Sequence, residues 1–272
     1  KSQGFEVDIA PVDEKGFVDV EALADLIRPD TTLVSIMAVN NEIGSIQPIE
    51  AISKLLADKP TISFHVDAVQ ALAKIPTENY LTDRVDFATF SSHKFHGVRG
   101  VGFVYIKSGK RIMPLLTGGG QEGDYRSTTE NVAGIAATAK ALRLSMEKLD
   151  IFASKTGQMK AVIRQALLDY PDIFVFSDEE DFAPHILTFG IKCVRGEVIV
   201  HAFEDYDIFI STTSACSSKA GKPAGTLIAM GVDKDKAQSA VRLSLDLEND
   251  MSQVEQFLTK LKLIYNQTRK VR

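Results

Sequence analysis

The sequence has 272 residues, 44% hydrophobic and 25% charged, a globular composition with enough apolar residues for one large or two modest domains. Its 31 basic and 36 acidic residues give a net charge of -5, which argues against a general nucleic-acid-binding surface. No apolar run reaches the roughly 20 residues of a membrane-spanning helix, and two cysteines exclude a disulfide framework.

The chain opens at Lys1, without a methionine or a signal peptide, and runs into GFEVDIA, where residues 5–9 alternate as a strand does. The expectation is a reducing, cytoplasmic protein from which an earlier part is absent. Asp19 is placed to cap a helix whose Val20, Leu23, Ala24 and Ile27 share one face, ended by Pro29. TTLVSIMAV (31–39) is apolar on both faces, as a buried parallel strand is. Pro48 opens a second helix, and TISFHVD (61–67), FATFS (87–91) and GFVYIK (102–107) read as further strands. This rhythm predicts an α/β domain with a mainly parallel sheet over residues 1–148.

A helical stretch from about Asn131 to Asp169, broken near Leu149, leads into a different pattern. HILTFGIK (185–192) and IFIS (208–211) read as strands, GEVIVHAFED as a helix, VRLSL (241–245) as a strand, and the last helix carries Val254, Phe257, Leu258, Leu261 and Tyr265 on one face. Residues 149–272 are therefore expected to form a smaller α+β domain.

Open parallel sheets bind ligands beyond the carboxyl ends of their strands, and polar residues gather there. SSHKFHG (91–97) follows FATFS, so Lys94 beside histidine and hydroxyls has the makings of a Schiff-base site, although a solvated loop lysine reads the same way. Asp67 ends HVD and is placed either to pair with a protonated pyridine nitrogen or to cap the next turn, with Gln70 one turn on. Asn40 and Asn41 end a third strand, either as ligand donors or as an Asn-rich turn. TGGGQEGDYRSTTENVAG (117–134) reads equally as a phosphate loop and as an interdomain loop. Cys216, on a run of small polar residues near Lys219, is placed to ionise and attack, whereas Cys193 looks structural.

Taken together, these segments resemble the fold-type I pyridoxal-phosphate enzymes of the class V aminotransferase group, and within it the cysteine desulfurases. VSIMAVNNEIGSIQPI, FHVDAVQALAKIP, DFATFSSHKFHGVRGVGFVYI, GGGQEGDYRSTTENVAG, IKCVRGEVIVHAFE, ISTTSACSSKAG and AVRLSL carry the resemblance, collinear over nearly the whole chain. It implies pyridoxal 5'-phosphate as cofactor, with Lys94 as Schiff-base lysine and Asp67 on the pyridine nitrogen. Gln70 and Asn41 would contact the phenolic oxygen and the substrate side of the ring, and Ser91 and His93 the phosphate. Thr129 would reach the other subunit's cofactor in a homodimer, Arg242 would clamp the substrate carboxylate, and Cys216 would take the sulfur. No metal is implied. The family's opening segment, with a Gly-Ala-Thr phosphate loop and a ring-stacking histidine, would lie before Lys1. Thr128 and Thr213 stand where the family commonly has glycine.

The implied function is conversion of L-cysteine to L-alanine, with the sulfur left as a Cys216 persulfide for an iron–sulfur scaffold or a tRNA-thiolation enzyme. Neither direct nucleic-acid nor membrane binding is expected. Alternatives are a selenocysteine lyase, a class V aminotransferase (which needs no thiol), and a catalytically silent fragment that only binds a sulfur-acceptor partner.

Overall fold

The computed structural model describes residues 4–178, 180–213 and 225–270. In chain order the elements are α1 (Val20–Leu26), β1 (Leu33–Met37), α2 (Ile49–Leu55), β2 (Ser63–Asp67), β3 (Phe87–Ser91), β4 (Gly102–Ile106), α3 (Val132–Met146) and α4 (Leu149–Leu168). There follow β5 (Ile173–Val175), β6 (Ile186–Ile191), α5 (Gly196–Glu204), β7 (Ser211–Thr212), α6 (Gly225–Ala229), α7 (Lys234–Gln238), β8 (Ala240–Ser244) and α8 (Met251–Lys270). Among the described residues no helix is long and apolar enough to cross a membrane. The backbone groups into two compact units, one of residues 29–38 and 49–149, the other of residues 1–28, 39–48 and 150–272.

The first unit holds a sheet in the order β1-β2-β3-β4, with β1, β2 and β3 mutually parallel and β4 antiparallel at the edge. Its strands alternate: Val34, Ile36, Phe64, Val66, Ala88 and Phe90 are buried, while the opposite face is half-buried or exposed. The run at 31–39 is therefore covered on one face only, with Leu33 55% exposed. Arg84 braces the amino end of this sheet. Its guanidinium donates to the carbonyls of Leu56, Lys59 and Ile62 at 2.9, 3.0 and 2.6 Å and to Asp86 Oδ2 at 2.8 Å. Burial alone would push the Asp86 carboxyl up, but the Phe64 N–H, Arg84 and Lys110 outweigh it and hold the group below its ordinary value.

The second unit is built on an antiparallel sheet, β5-β6-β8-β7. Its core joins Leu187, Phe189 and Val241 of the sheet to Ile163 of α4, Phe203 of α5 and Phe257 of α8. Phe203 stacks on Phe257 with ring centroids 4.9 Å apart. Residues 1–28 and 39–48 group with residues 150–272 in this unit, and the bonding explains why. The Ile46 N–H donates to the Asp181 carbonyl at 2.8 Å, the Ala183 N–H to the Gly44 carbonyl at 2.7 Å, and Ser177 Oγ to the Ile43 carbonyl at 2.5 Å. Phe17 meets Phe182 edge-on, and Lys15 pairs with Asp178 at 3.0 Å.

Three expectations need correction. Residues 5–9 form no strand; Glu6 and Asp8 pair with Arg28 instead of entering a ladder, and Ile9 is exposed. The strand expected at 208–211 is reduced to β7, because only Ser211 and Thr212 find partners on β8. Cys193 is an exposed thiol in a left-handed turn with φ 58°, not a packed structural one.

Candidate active site

In the parallel-sheet unit the carboxyl ends of two neighbouring strands bring the expected residues together. Asp67 is the last residue of β2 and lies in register with Thr89 of β3, whose last residue is Ser91. A 3-10 turn, Ser92–Phe95, then carries His93 and Lys94 and ends at His96 in the left-handed region, φ 65°. Ser92 fixes this turn: it is buried, its hydroxyl bonds Thr138 Oγ1 at 2.8 Å, and its carbonyl accepts the Gly97 N–H at 2.9 Å. Lys94 is half-buried and makes no hydrogen bond or ion pair among the described residues, so its amine is available. Asp67 Oδ1 accepts the Val69 N–H at 3.0 Å, so the residue caps the following turn, and a cap leaves its second oxygen for a ligand. Gln70 is half-buried in that turn, and Thr129 is exposed in the loop before α3, whose cap is Asn131. Thr128 does not take positive φ, so the loop does not demand glycine there.

The sequence reading did not single out His65. Its Nδ1 lies 2.7 Å from Ser35 Oγ on β1 and its Nε2 3.2 Å from Thr89 Oγ1 on β3, a row across three strands next to Asp67. Burial lowers its imidazole below the ordinary value, against the upward pull of the Asp67 charge.

In the antiparallel-sheet unit, Asn41 and Arg242 meet across 201 residues of chain: Arg242 Nη1 donates to the Asn41 carbonyl at 2.7 Å. Arg242 stands on β8 opposite Ser211 of β7 and Thr188 of β6, and its Nη2 lies 3.3 Å from Ser211 Oγ. Asn40 shapes the turn, since its Oδ1 accepts the N–H of Glu42 and of Ile43 at 2.8 and 3.0 Å, and Gly44 takes φ 87°. Glu42 is the other residue sequence reasoning missed. Burial pushes its carboxyl up, opposed by hydrogen bonds from the Thr226 hydroxyl and N–H and by the Arg242 charge. An acid directly after an Asn pair was the available signal. Cys216 lies outside the described residues.

The aminotransferase class-V family model matches residues 1–257. The chain belongs to the class-V aminotransferase family. It is 51% identical over 269 residues to a NifS/IcsS protein homolog of Lactobacillus delbrueckii subsp. bulgaricus, covering 98% of this chain and 70% of that protein. It is 37% identical to the cysteine desulfurase IscS of Dictyoglomus turgidum, covering 96% of this chain and 68% of that one. Among solved structures, a NifS-like protein superposes with a TM-score of 0.89 at 37% identity, covering 97% of this chain and 69% of that chain. The fold is that of fold-type I pyridoxal-phosphate enzymes, and the family uses that cofactor. The donor set fits the group chemically: an amine at Lys94 without a partner among the described residues, an acid ending the neighbouring strand at Asp67, and hydroxyl and imidazole groups at Ser91 and His93.

Proposed function

We propose that the chain acts as a cysteine desulfurase, converting L-cysteine to L-alanine and leaving the sulfur as a persulfide on Cys216. The observation that carries this reading is the placement of Lys94, without a partner among the described residues, just past β3 and next to the strand β2 that ends in Asp67, in a chain so similar to NifS and IscS proteins.

Lys94 would hold pyridoxal 5'-phosphate as a Schiff base, with Asp67 on the ring nitrogen, Gln70 on the phenolic oxygen, and Ser91 and His93 on the phosphate. Bound there, the group supplies an electron sink for the bonds at the substrate Cα. Arg242, already oriented by the Asn41 carbonyl and Ser211, clamps the substrate carboxylate. The Lys94 amine moves a proton at the substrate Cα. The Cys216 thiolate then attacks the substrate sulfur: an S–S bond forms, the C–S bond breaks, and the substrate Cβ takes up a proton to give alanine. One cysteine and one enzyme thiol thus become one alanine and one persulfide, with no external oxidant. The sulfur acceptor would be an iron–sulfur scaffold or a tRNA-thiolating enzyme.

By chain order residues 1–148 would correspond to the large cofactor-binding domain of the family and 149–272 to its small domain, with residues 1–28 and 39–48 of the former grouped in the same compact unit as the latter. A homodimer in which Thr129 reaches the partner's cofactor accords with the exposure of Thr129 and of apolar Met113 and Leu115, 91% and 92% exposed nearby in sequence. A reducing cytoplasm suits a free catalytic thiol.

The test is alanine release from L-cysteine by the chain supplied with pyridoxal phosphate, beside Cys216→Ser. Alanine and a Cys216 persulfide, both lost in the variant, are expected. Alanine from selenocysteine alone would assign a selenocysteine lyase, and no alanine from either would leave a silent acceptor-binding module.

A further inference from the structure

His65 and Asp67 lie two residues apart on β2, so both side chains stand on the same, half-buried face of the sheet. An imidazolium placed there would be a natural counter-ion for the carboxylate. The two do not pair. Both imidazole nitrogens are taken by hydroxyls instead, Nδ1 by Ser35 Oγ at 2.7 Å and Nε2 by Thr89 Oγ1 at 3.2 Å, while Asp67 Oδ1 accepts the Val69 N–H at 3.0 Å. The row is diagonal: Ser35 stands opposite His65 in the β1–β2 register, whereas Thr89 stands opposite Asp67 in the β2–β3 register. The ring is thus held from both neighbouring strands at once.

A neutral imidazole has one donor and one acceptor nitrogen, and a hydroxyl answers either, so both bonds are satisfied in either tautomer without a charge. Burial favours the same neutral form. On this face β1 brings Leu33, Ser35 and Met37, and β3 brings Phe87, Thr89 and Ser91, none of them charged; the charge acting on His65 is that of Asp67. A cationic ring nitrogen is best served by a carboxylate with no nearer counter-ion, since an imidazolium alongside would share its charge. We propose that Ser35 and Thr89 are positioning residues for the cofactor: by occupying both nitrogens of His65 they keep the imidazole from pairing with Asp67 and so reserve that carboxylate for the ring nitrogen. This inference rests on the cofactor reading above, in which Lys94 holds pyridoxal phosphate and Asp67 faces its ring nitrogen.

The test compares the full chain with Ser35→Ala/Thr89→Val, with His65→Gln and with the triple variant. Dissociation constants for pyridoxal phosphate are measured by absorbance titration between about pH 6 and pH 8. Stripping the hydroxyls lets His65 take a proton and pair with Asp67. The double variant should therefore bind about three- to fivefold more weakly than wild type near pH 6, the worth of a partly exposed ion pair. That deficit should shrink toward pH 8 as the imidazole loses its proton. Glutamine carries no charge at any pH, so the triple variant should recover the affinity of His65→Gln alone. Hydroxyls that merely packed the sheet would give a deficit that is flat with pH and is not rescued by glutamine; either result, or no deficit, would overturn the proposal. Histidine 15N shifts of the cofactor-free chain give a second readout. The resonance that disappears in His65→Gln should titrate at higher pH in the double variant than in wild type, and Asp67→Asn should abolish that rise. A wild-type chain that takes up no pyridoxal phosphate at Lys94 would sink the cofactor reading instead, and the 15N titrations alone would then decide whether the hydroxyls keep His65 from Asp67.

Discussion

Gly97→Ala tests whether the turn that presents Lys94 is held as tightly as its geometry implies. A Cβ at position 97 would stand 1.9 Å from Ser92 Oγ, 3.0 Å from the Ser92 carbonyl oxygen and 3.1 Å from Ser92 Cβ. Ser92 is buried and has nowhere to go without breaking its 2.8 Å bond to Thr138 Oγ1, which itself donates to the Gly134 carbonyl at 2.8 Å. Overpacking of this kind costs about 1–3 kcal/mol and a lost buried hydrogen bond a similar amount, so the variant should lose about 3 kcal/mol. Lys94 lies on the same turn, so the yield of borohydride-trapped cofactor should fall with stability. The assay is a urea melt paired with trapping, run on Gly97→Ala and on Ser92→Ala/Gly97→Ala. Removing Oγ relieves the worst contact, and the double variant should be more stable than Gly97→Ala alone. A Gly97→Ala protein within about 0.5 kcal/mol of wild type, with undiminished trapping, would refute the reasoning.

Three further outcomes are expected. Asp86→Asn leaves Arg84 and Lys110 without their buried counter-charge and should cost about 3 kcal/mol in a denaturant melt; because the folded carboxyl lies below its ordinary value, its contribution is full above about pH 4 and is lost as pH falls through the folded value, so the variant should show a shallower acid limb. His65 is depressed by burial, so the folded state binds fewer protons: stability should be full above about pH 6.5 and decline below it toward the folded value, and His65→Gln should remove that decline in pH-dependent melts. Arg242→Ala should raise KM for L-cysteine by about 10- to 100-fold, the worth of a charge-assisted pair, while leaving the Lys94 adduct intact; an unchanged KM would move the carboxylate clamp elsewhere.

Much of the fold was legible because its signals are local. The alternation in HVD and FATFS gave β2 and β3, the polar residues after them gave the carboxyl-end site, and the 3.6-residue period of Val254, Phe257, Leu261 and Tyr265 gave α8, all four buried. What was missed depends on partners far along the chain. Alternation at 5–9 is compatible with a strand, yet a strand exists only where another backbone pairs with it, and there Arg28 takes the acids instead. The same holds for Ile208 and Ile210 before β7. The grouping of 39–48 with residues beyond 150 follows from bonds to Ser177, Asp181 and Ala183 that no window of sequence contains. Arg242 and Asn41 were each singled out as ligand donors, but their mutual contact joins residues 201 positions apart and so is not visible in any window of sequence. Cys193 was misjudged because its short flanks look like a strand end, whereas the chain turns there through positive φ.

The most direct measurement of the central claim is peptide mapping of the chain after incubation with pyridoxal phosphate and reduction by borohydride, beside Lys94→Ala. The site described above predicts one stoichiometric adduct on Lys94 that disappears in the variant. An adduct scattered over surface lysines, or a yield unaltered by Lys94→Ala, would contradict it.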